Sequence, residues 1–181
     1  MRRRGHRARL RSRAPVPRTL FAHAVDAVAD CKRKTVTPAF DATLEATVLL
    51  SGLGFESGGV AAAHAIHHGL AQLDSTHGVL HGEKVAIGTL ASLFLWPCAD
   101  SERRRVFAFC KAVGLPTRLA DIHVDGADRA ALTRVAERAC REGEIIHNDE
   151  PYPVNAPMVV AALEAMDRYA ALLDRTEPAI I

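Results

Sequence analysis

Paired cysteines are missing from this sequence. Its four cysteines, Cys31, Cys98, Cys110 and Cys140, are widely spaced and form no CxxC unit, which excludes a zinc knuckle and a dithiol redox motif and leaves reduced thiols as the expectation. Aromatic residues are scarce at 5% of 181 residues, while apolar residues reach 49%. That balance and length suit one compact soluble domain, and two full domains would be crowded. A chain of this size buries roughly 70% of its unfolded surface, so no metal is needed merely to hold a core together. The longest apolar-rich stretch, Val85–Trp96, falls short of the roughly 18 residues of a membrane span, and no membrane association is expected. No GxSxG element occurs, which leaves a nucleophile-elbow hydrolase unsupported. No period of 20 to 50 residues repeats, and no low-complexity linker divides the body.

Acidic residues are absent from one region only. Met1–Arg18 holds eight arginines and no Asp or Glu, so the formal net charge of +2 hides a body, residues 19–181, at −6. A nucleic-acid-binding body carries its positive charge on the folded surface, and this one is acidic. No nucleic-acid partner is expected for it. Residues 1–18 read as an unstructured basic extension or a product of the assigned start, with a targeting segment or a nucleic-acid or lipid contact as alternatives. The remaining boundaries are a helical domain over residues 19–175 and a tail over 176–181.

Alternating runs of Val, Ile and Thr are also lacking, whereas apolar residues recur at three- and four-residue spacing and alanine occurs 32 times. The pattern predicts an all-α fold, a bundle of about seven helices. The predicted segments are Thr19–Lys32, a helix opened by Thr37 and Pro38, a buried alanine-rich helix over Val60–Leu73, and then Glu83–Trp96, Asp100–Val113, Asp128–Arg141 and Ala156–Leu173. Asp125 or Asp128 caps the sixth, and Asn155 with Pro157 opens the last.

Five of the nine histidines, His64, His67, His68, His77 and His81, fall within eighteen residues. His64 pairs with His67 at a spacing of three and with His68 at four, and either pair can present two imidazoles on one helix face. Neutral imidazole ligates zinc or ferrous iron, but a catalytic zinc takes three protein ligands, so two histidines are one short. Structural histidines are the competing reading. The turn Gly52-Leu-Gly54-Phe-Glu-Ser57 imitates a dinucleotide-binding loop but follows a helix, so a tight helix connection is expected there, with Glu56 in a structural role. Cys98 and Cys110 read as core, and Arg103-Arg104-Arg105 reads as a solvated face.

The stretch Leu50-Ser-Gly-Leu-Gly-Phe-Glu-Ser-Gly-Gly-Val-Ala-Ala-Ala-His-Ala-Ile-His67, followed by Thr76-His77 and His81-Gly-Glu-Lys-Val-Ala-Ile-Gly-Thr89, closely resembles the glycerol dehydrogenases, a family of the metal-dependent, iron-containing alcohol dehydrogenase superfamily. The resemblance continues through Ala112-Val-Gly-Leu-Pro116 and Ala139-Cys-Arg-Glu-Gly-Glu-Ile-Ile-His-Asn148 and covers about residues 20–172. It implies the all-helical C-terminal half of a cytoplasmic, NAD-dependent enzyme that oxidises glycerol, or a related small diol, to the ketone. It also implies that His64 and His81 bind the metal, usually zinc and otherwise iron, and border the substrate. Where this chain has His68 the family generally has Asn, and His68 is not assigned to the site.

The family's NAD-binding half and its third metal ligand, an aspartate, have no counterpart in the sequence. Asp26, Asp30 and Asp41 match positions downstream of that aspartate and do not replace it. The resemblance therefore implies either a dehydrogenase whose activity needs the missing half from another chain, or a non-catalytic remnant or oligomerisation module with a vestigial metal site. An unrelated metal hydrolase is a third reading. The Arg-rich start suits a truncated gene, a shifted frame or a mis-set start codon. Partners implied are a complementing N-terminal half or further copies in a homo-oligomer.

Overall fold

The computed structural model describes residues 15–50, 62–149 and 152–176. Among these there are seven α-helices of eight or more residues and no strand, as the three- and four-residue periodicity predicts. The chain divides into two compact units, residues 1–59 and residues 60–181. The glycine turn and Glu56 lie outside the described residues.

The first unit is a helical hairpin of α1 (Pro15–Arg33) and α2 (Pro38–Glu45), continued by a π-helical turn over Ala46–Leu50. The first helix begins at Pro15, so Arg18 is helical rather than part of an extension. Thr37 caps α2 through the Phe40 amide, with Pro38 at the first helical position, where a missing N–H costs nothing. Asp30, buried near the end of α1, accepts from the Thr37 hydroxyl and from Arg33. The hydroxyl chiefly, then the guanidinium, hold its carboxyl below the usual range against the effect of burial. An aspartate in the last turns of one helix thereby anchors the cap of the next.

In the second unit α3 (Ala62–Leu70) is the central element, packed between α4 (His81–Ser92) and α6 (Arg129–Ala139). Its buried residues, Ala62, Ala65, Ile66, Gly69 and Leu70, repeat at the three- and four-residue intervals of one helix face. Two glycines set how closely the neighbours approach. A Cβ on Gly88 of α4 would lie 2.2 Å from the carbonyl oxygen of Ala63, and one on Gly69 would lie 2.1 Å from that of Val135 on α6. The long helix α7 (Ala156–Thr176) covers α6 and α4, and α5 (Asp100–Ala112) flanks α4. Fully buried Ile66, Leu70, Ile87, Leu90, Leu132, Val135, Leu163 and Met166 form the centre of the core. Burying one such large side chain contributes about 1.5–3 kcal/mol.

Two helices stop before their apolar pattern does. Helix α3 ends at Leu70 because the hydroxyl of buried Thr76 donates to the carbonyls of Leu70 and Leu73, at 2.6 and 3.0 Å, and turns the chain. Helix α4 ends at Ser92, short of Trp96. Asp128 and Asn155 cap α6 and α7 by accepting from the Ala131 and Met158 amides, as their positions predict.

The few aromatic residues are concentrated. Phe94, Phe107 and Tyr169 meet edge to face, with ring centroids 5.2–6.3 Å apart. Arg103 is not part of a fully solvated face. Its guanidinium lies 4.7 Å over Phe94 and it donates to the Leu93 carbonyl, while Arg104 and Arg105 are exposed and paired with Asp100 and Glu102. Burial first, and the nearby Asp100 carboxylate next, push the Tyr169 hydroxyl up to about 12.

Cys110 is buried, and burial raises its thiol to about 11, whereas Cys31 is exposed and Cys98 half-buried. At pH 8 a thiol reagent is therefore expected to modify Cys31 first and Cys110 only as fast as the chain opens. Peptide mapping after brief alkylation measures this, and equal labelling of both in the folded chain would contradict the placement.

Candidate metal centre

The histidine cluster is assembled by the way α3 ends and α4 begins. Helix α3 carries His64, His67 and His68. The chain then turns through a 3₁₀ segment over Asp74–Thr76 and enters α4 with His81 as its first residue. Glu83 defines that start, because its carboxylate accepts from the Leu80 amide at 2.8 Å, the reciprocal half of a capping box. Lys84, one turn further, is buried and donates to the Thr76 carbonyl at 3.2 Å, tying the turn to α4.

The close approach at Gly88 draws α4 against the backbone of Ala63, next to His64. The ring centroids of His64 and His81 lie 5.8 Å apart. An imidazole nitrogen sits roughly 2.0–2.1 Å from zinc, so each ring centroid lies about 3 Å from the metal, and two rings on one ion stand roughly 4.5–6 Å apart. The separation of the pair falls within that range. Among the described residues no group of three or more His, Cys, Asp or Glu is arranged to hold one.

His67 and His68 take different partners. The Nε2 of His67 lies 3.1 Å from Nδ1 of His81, with ring centroids 4.3 Å apart, and its own Nδ1 is buried without a hydrogen-bond partner. His68 instead directs Nδ1 to the carboxylate of Glu144 at 3.0 Å, and Arg138 of α6 holds that carboxylate from the other side. His77 is exposed, 3.9 Å from Asp74, and stands outside the cluster. His123 lies on a loop between α5 and α6, exposed and with φ at 61°.

The electrostatics favour neutral rings. Burial first, then the nearby His81 and His68, lower the pKa of His64. Burial chiefly, then His81, His68, Lys84 and His64, take His67 down to about 4. Neutral imidazole is the form that can ligate a metal, so no proton has to leave these two at pH 7. For Glu144, Arg138 and His68 outweigh the opposing effect of burial and hold the carboxylate below its ordinary range.

Sequence spacing brought out His64, His67, His68 and His81 but not how they divide. Nothing in an i, i+3, i+4 run says which residue meets the next helix. Glu144 and Lys84 were missed as parts of this region, although both lie within the motifs that carry the family resemblance. Their signal is a little-exposed charged side chain held by partners on other elements, Lys84 by the Thr76 carbonyl and Glu144 by His68 and Arg138, which shows only in the tertiary structure.

No protein-family model matches the chain. It is 54% identical over 154 residues, 85% of its length, to a glycerol dehydrogenase of Thermotoga maritima. It is also 46% identical over 149 residues to a glycolaldehyde reductase of Halobacterium salinarum. The crystal structure of a probable glycerol dehydrogenase from Sinorhizobium meliloti superposes with a TM-score of 0.87 at 41% identity, covering 92% of this chain and 47% of that one. The chain spans about two fifths of the length of the relatives it matches, 42% of the Thermotoga protein and 40% of the Halobacterium one. By sequence and by fold together, the chain belongs with the all-helical C-terminal part of the glycerol dehydrogenases.

Proposed function

We propose that this chain is the metal- and substrate-binding part of an NAD-dependent glycerol dehydrogenase. The observation that carries the reading is the pair His64 and His81, delivered by two helices to a ring separation of 5.8 Å. Zinc, or iron in its place, would supply Lewis acidity to a substrate hydroxyl, and NAD would supply the hydride acceptor. His64 and His81 hold that metal and border the glycerol, and the tendency of His64 to remain neutral keeps its lone pair available. The third ligand and the nicotinamide site are proposed to lie in polypeptide beyond the span matched here, in the same protein or a complementing one. Assembly as a homo-oligomer and a cytoplasmic location belong to the same reading. Likeness to both a glycerol dehydrogenase and a glycolaldehyde reductase favours a short polyol or its carbonyl partner as substrate, with glycerol the first choice.

The test is a chimera in which the matched span replaces its counterpart in the Thermotoga glycerol dehydrogenase. It is expected to reduce NAD with glycerol, and the 181-residue chain alone is expected not to. A folded chimera without activity would sink the proposal. It would favour a non-catalytic module, a reading supported by the missing third ligand among the described residues and by apolar Leu44 and Val48 exposed on the first unit.

A further inference from the structure

Of the cluster's histidines, His67 has no role in the reading above, yet it makes the hydrogen bond nearest the metal pair. We infer that His67 is a positioning residue for His81. Its Nε2 accepts the Nδ1 hydrogen of His81 and holds that ring so that Nε2 of His81 is the atom offered to metal. The inference rests on the reading of His64 and His81 as metal ligands and names what orients the second of them.

The argument begins with the two nitrogens of an imidazole. In His81, Nδ1 stands 3.1 Å from Nε2 of His67. A nitrogen committed to a neighbouring ring cannot also bind metal, so only Nε2 of His81 remains free to do so. A neutral ring carries one hydrogen, and a ligating Nε2 needs its lone pair, so the hydrogen must sit on Nδ1 and be donated. His67 is then the acceptor. Ligating histidines in general give their second ring N–H to such a partner, which fixes both tautomer and orientation.

The surroundings leave His67 little else to do. Its Nδ1 is buried and has no partner, so Nε2 is the one ring atom of His67 with a hydrogen bond. The ring is packed edge-on against His68, with centroids 5.5 Å apart, and His68 is itself tied to Glu144. One helix, α3, thus supplies the first ligand, His64, and three residues later the partner that aims the second.

The experiment uses the 181-residue chain titrated with Zn²⁺ by calorimetry, with circular dichroism confirming helix content for every variant. His67→Phe keeps a ring but accepts no hydrogen bond, and is expected to weaken zinc binding about 10- to 100-fold. His67→Gln places an amide oxygen where Nε2 stood, and should recover affinity to within about threefold of the parent. In the zinc-loaded chain, ¹⁵N imidazole spectra should show His81 ligated through Nε2 with its hydrogen on Nδ1, and in His67→Phe that hydrogen should lose its protection from exchange.

Unchanged affinity in a folded His67→Phe chain would overturn the inference. So would a Gln variant as weak as the Phe one, or spectra with metal on Nδ1 of His81. If His67→Phe loses as much as His64→Ala and Gln restores nothing, His67 is itself a ligand and the positioning role is wrong. His64→Ala separates the two claims: zinc binding that survives it refutes the metal reading itself, whereas failure confined to the His67 variants refutes only the positioning role.

Discussion

Gly88→Ala is expected to destabilise the chain by about 3 kcal/mol or more, the upper end of what overpacking costs. In an exposed helix the same change would stabilise by up to about 1 kcal/mol, because alanine loses less conformational entropy on folding. Here the added Cβ would lie 2.2 Å from the Ala63 carbonyl oxygen and 3.0 Å from that residue's Cα. Those are backbone atoms of a central helix and cannot rotate aside, so α3 and α4 would have to separate. Gly69→Ala should behave alike, since its Cβ would meet the Val135 carbonyl oxygen at 2.1 Å on α6. At roughly 2–4 °C per kcal/mol for a chain of this size, each should lower Tm by about 6–12 °C. Gly82→Ala is the control: nothing lies within 4 Å of its Cβ position, and Tm should hold or rise slightly. Calorimetric melting curves of the three variants decide it, and an unchanged Tm for Gly88→Ala would refute the α3–α4 approach described here. Because Ala63 adjoins His64, the same variant should also weaken metal binding.

The second large effect concerns the proposed metal ligands, His64 and His81. Two imidazoles on one ion act as a chelate, and once the first has bound, the second faces a high effective concentration. Removing either is expected to cost about 10²- to 10⁴-fold in zinc affinity. His64→Ala and His81→Ala should therefore both fall by that factor, while His123→Ala, exposed on a separate loop, should leave affinity unchanged. Calorimetry or Co²⁺ absorption reads all three. Equal losses in the three variants would mean that zinc is taken up by scattered surface histidines and that the assigned site is wrong.

Much of the fold was legible without coordinates because its signals are local. Thr37 before Pro38, Asp128 before α6 and Asn155 before α7 satisfy free amides within three residues of themselves, so their chemistry is present in any short window of sequence. The buried face of α3 is equally local, a repeat of small and aliphatic residues at helical spacing. The ends of α3 and α4 were not legible, since apolar residues continue past both and the stop at Leu70 is imposed by a threonine hydroxyl six residues away. Arg103 read as solvated because a run of three arginines carries no mark of the one that meets an aromatic face on the preceding segment.

The candidate site divides along the same line. By itself the sequence determined an all-helical chain, a histidine-rich helix followed by a second helix predicted to begin just after His81, and the family these motifs resemble. Each of those depends on residue type and on spacing of a few positions. Only the tertiary structure decided that the rings of His64 and His81 stand 5.8 Å apart, that His67 meets His81 and that His68 turns away to Glu144. The reason is geometric. Three histidines within five residues of one helix point in directions about 100° apart per residue, and which direction faces a partner depends on how α4 and α6 are laid against that helix. Gly88 and Gly69 govern that packing, through contacts 25 and 66 residues distant in sequence.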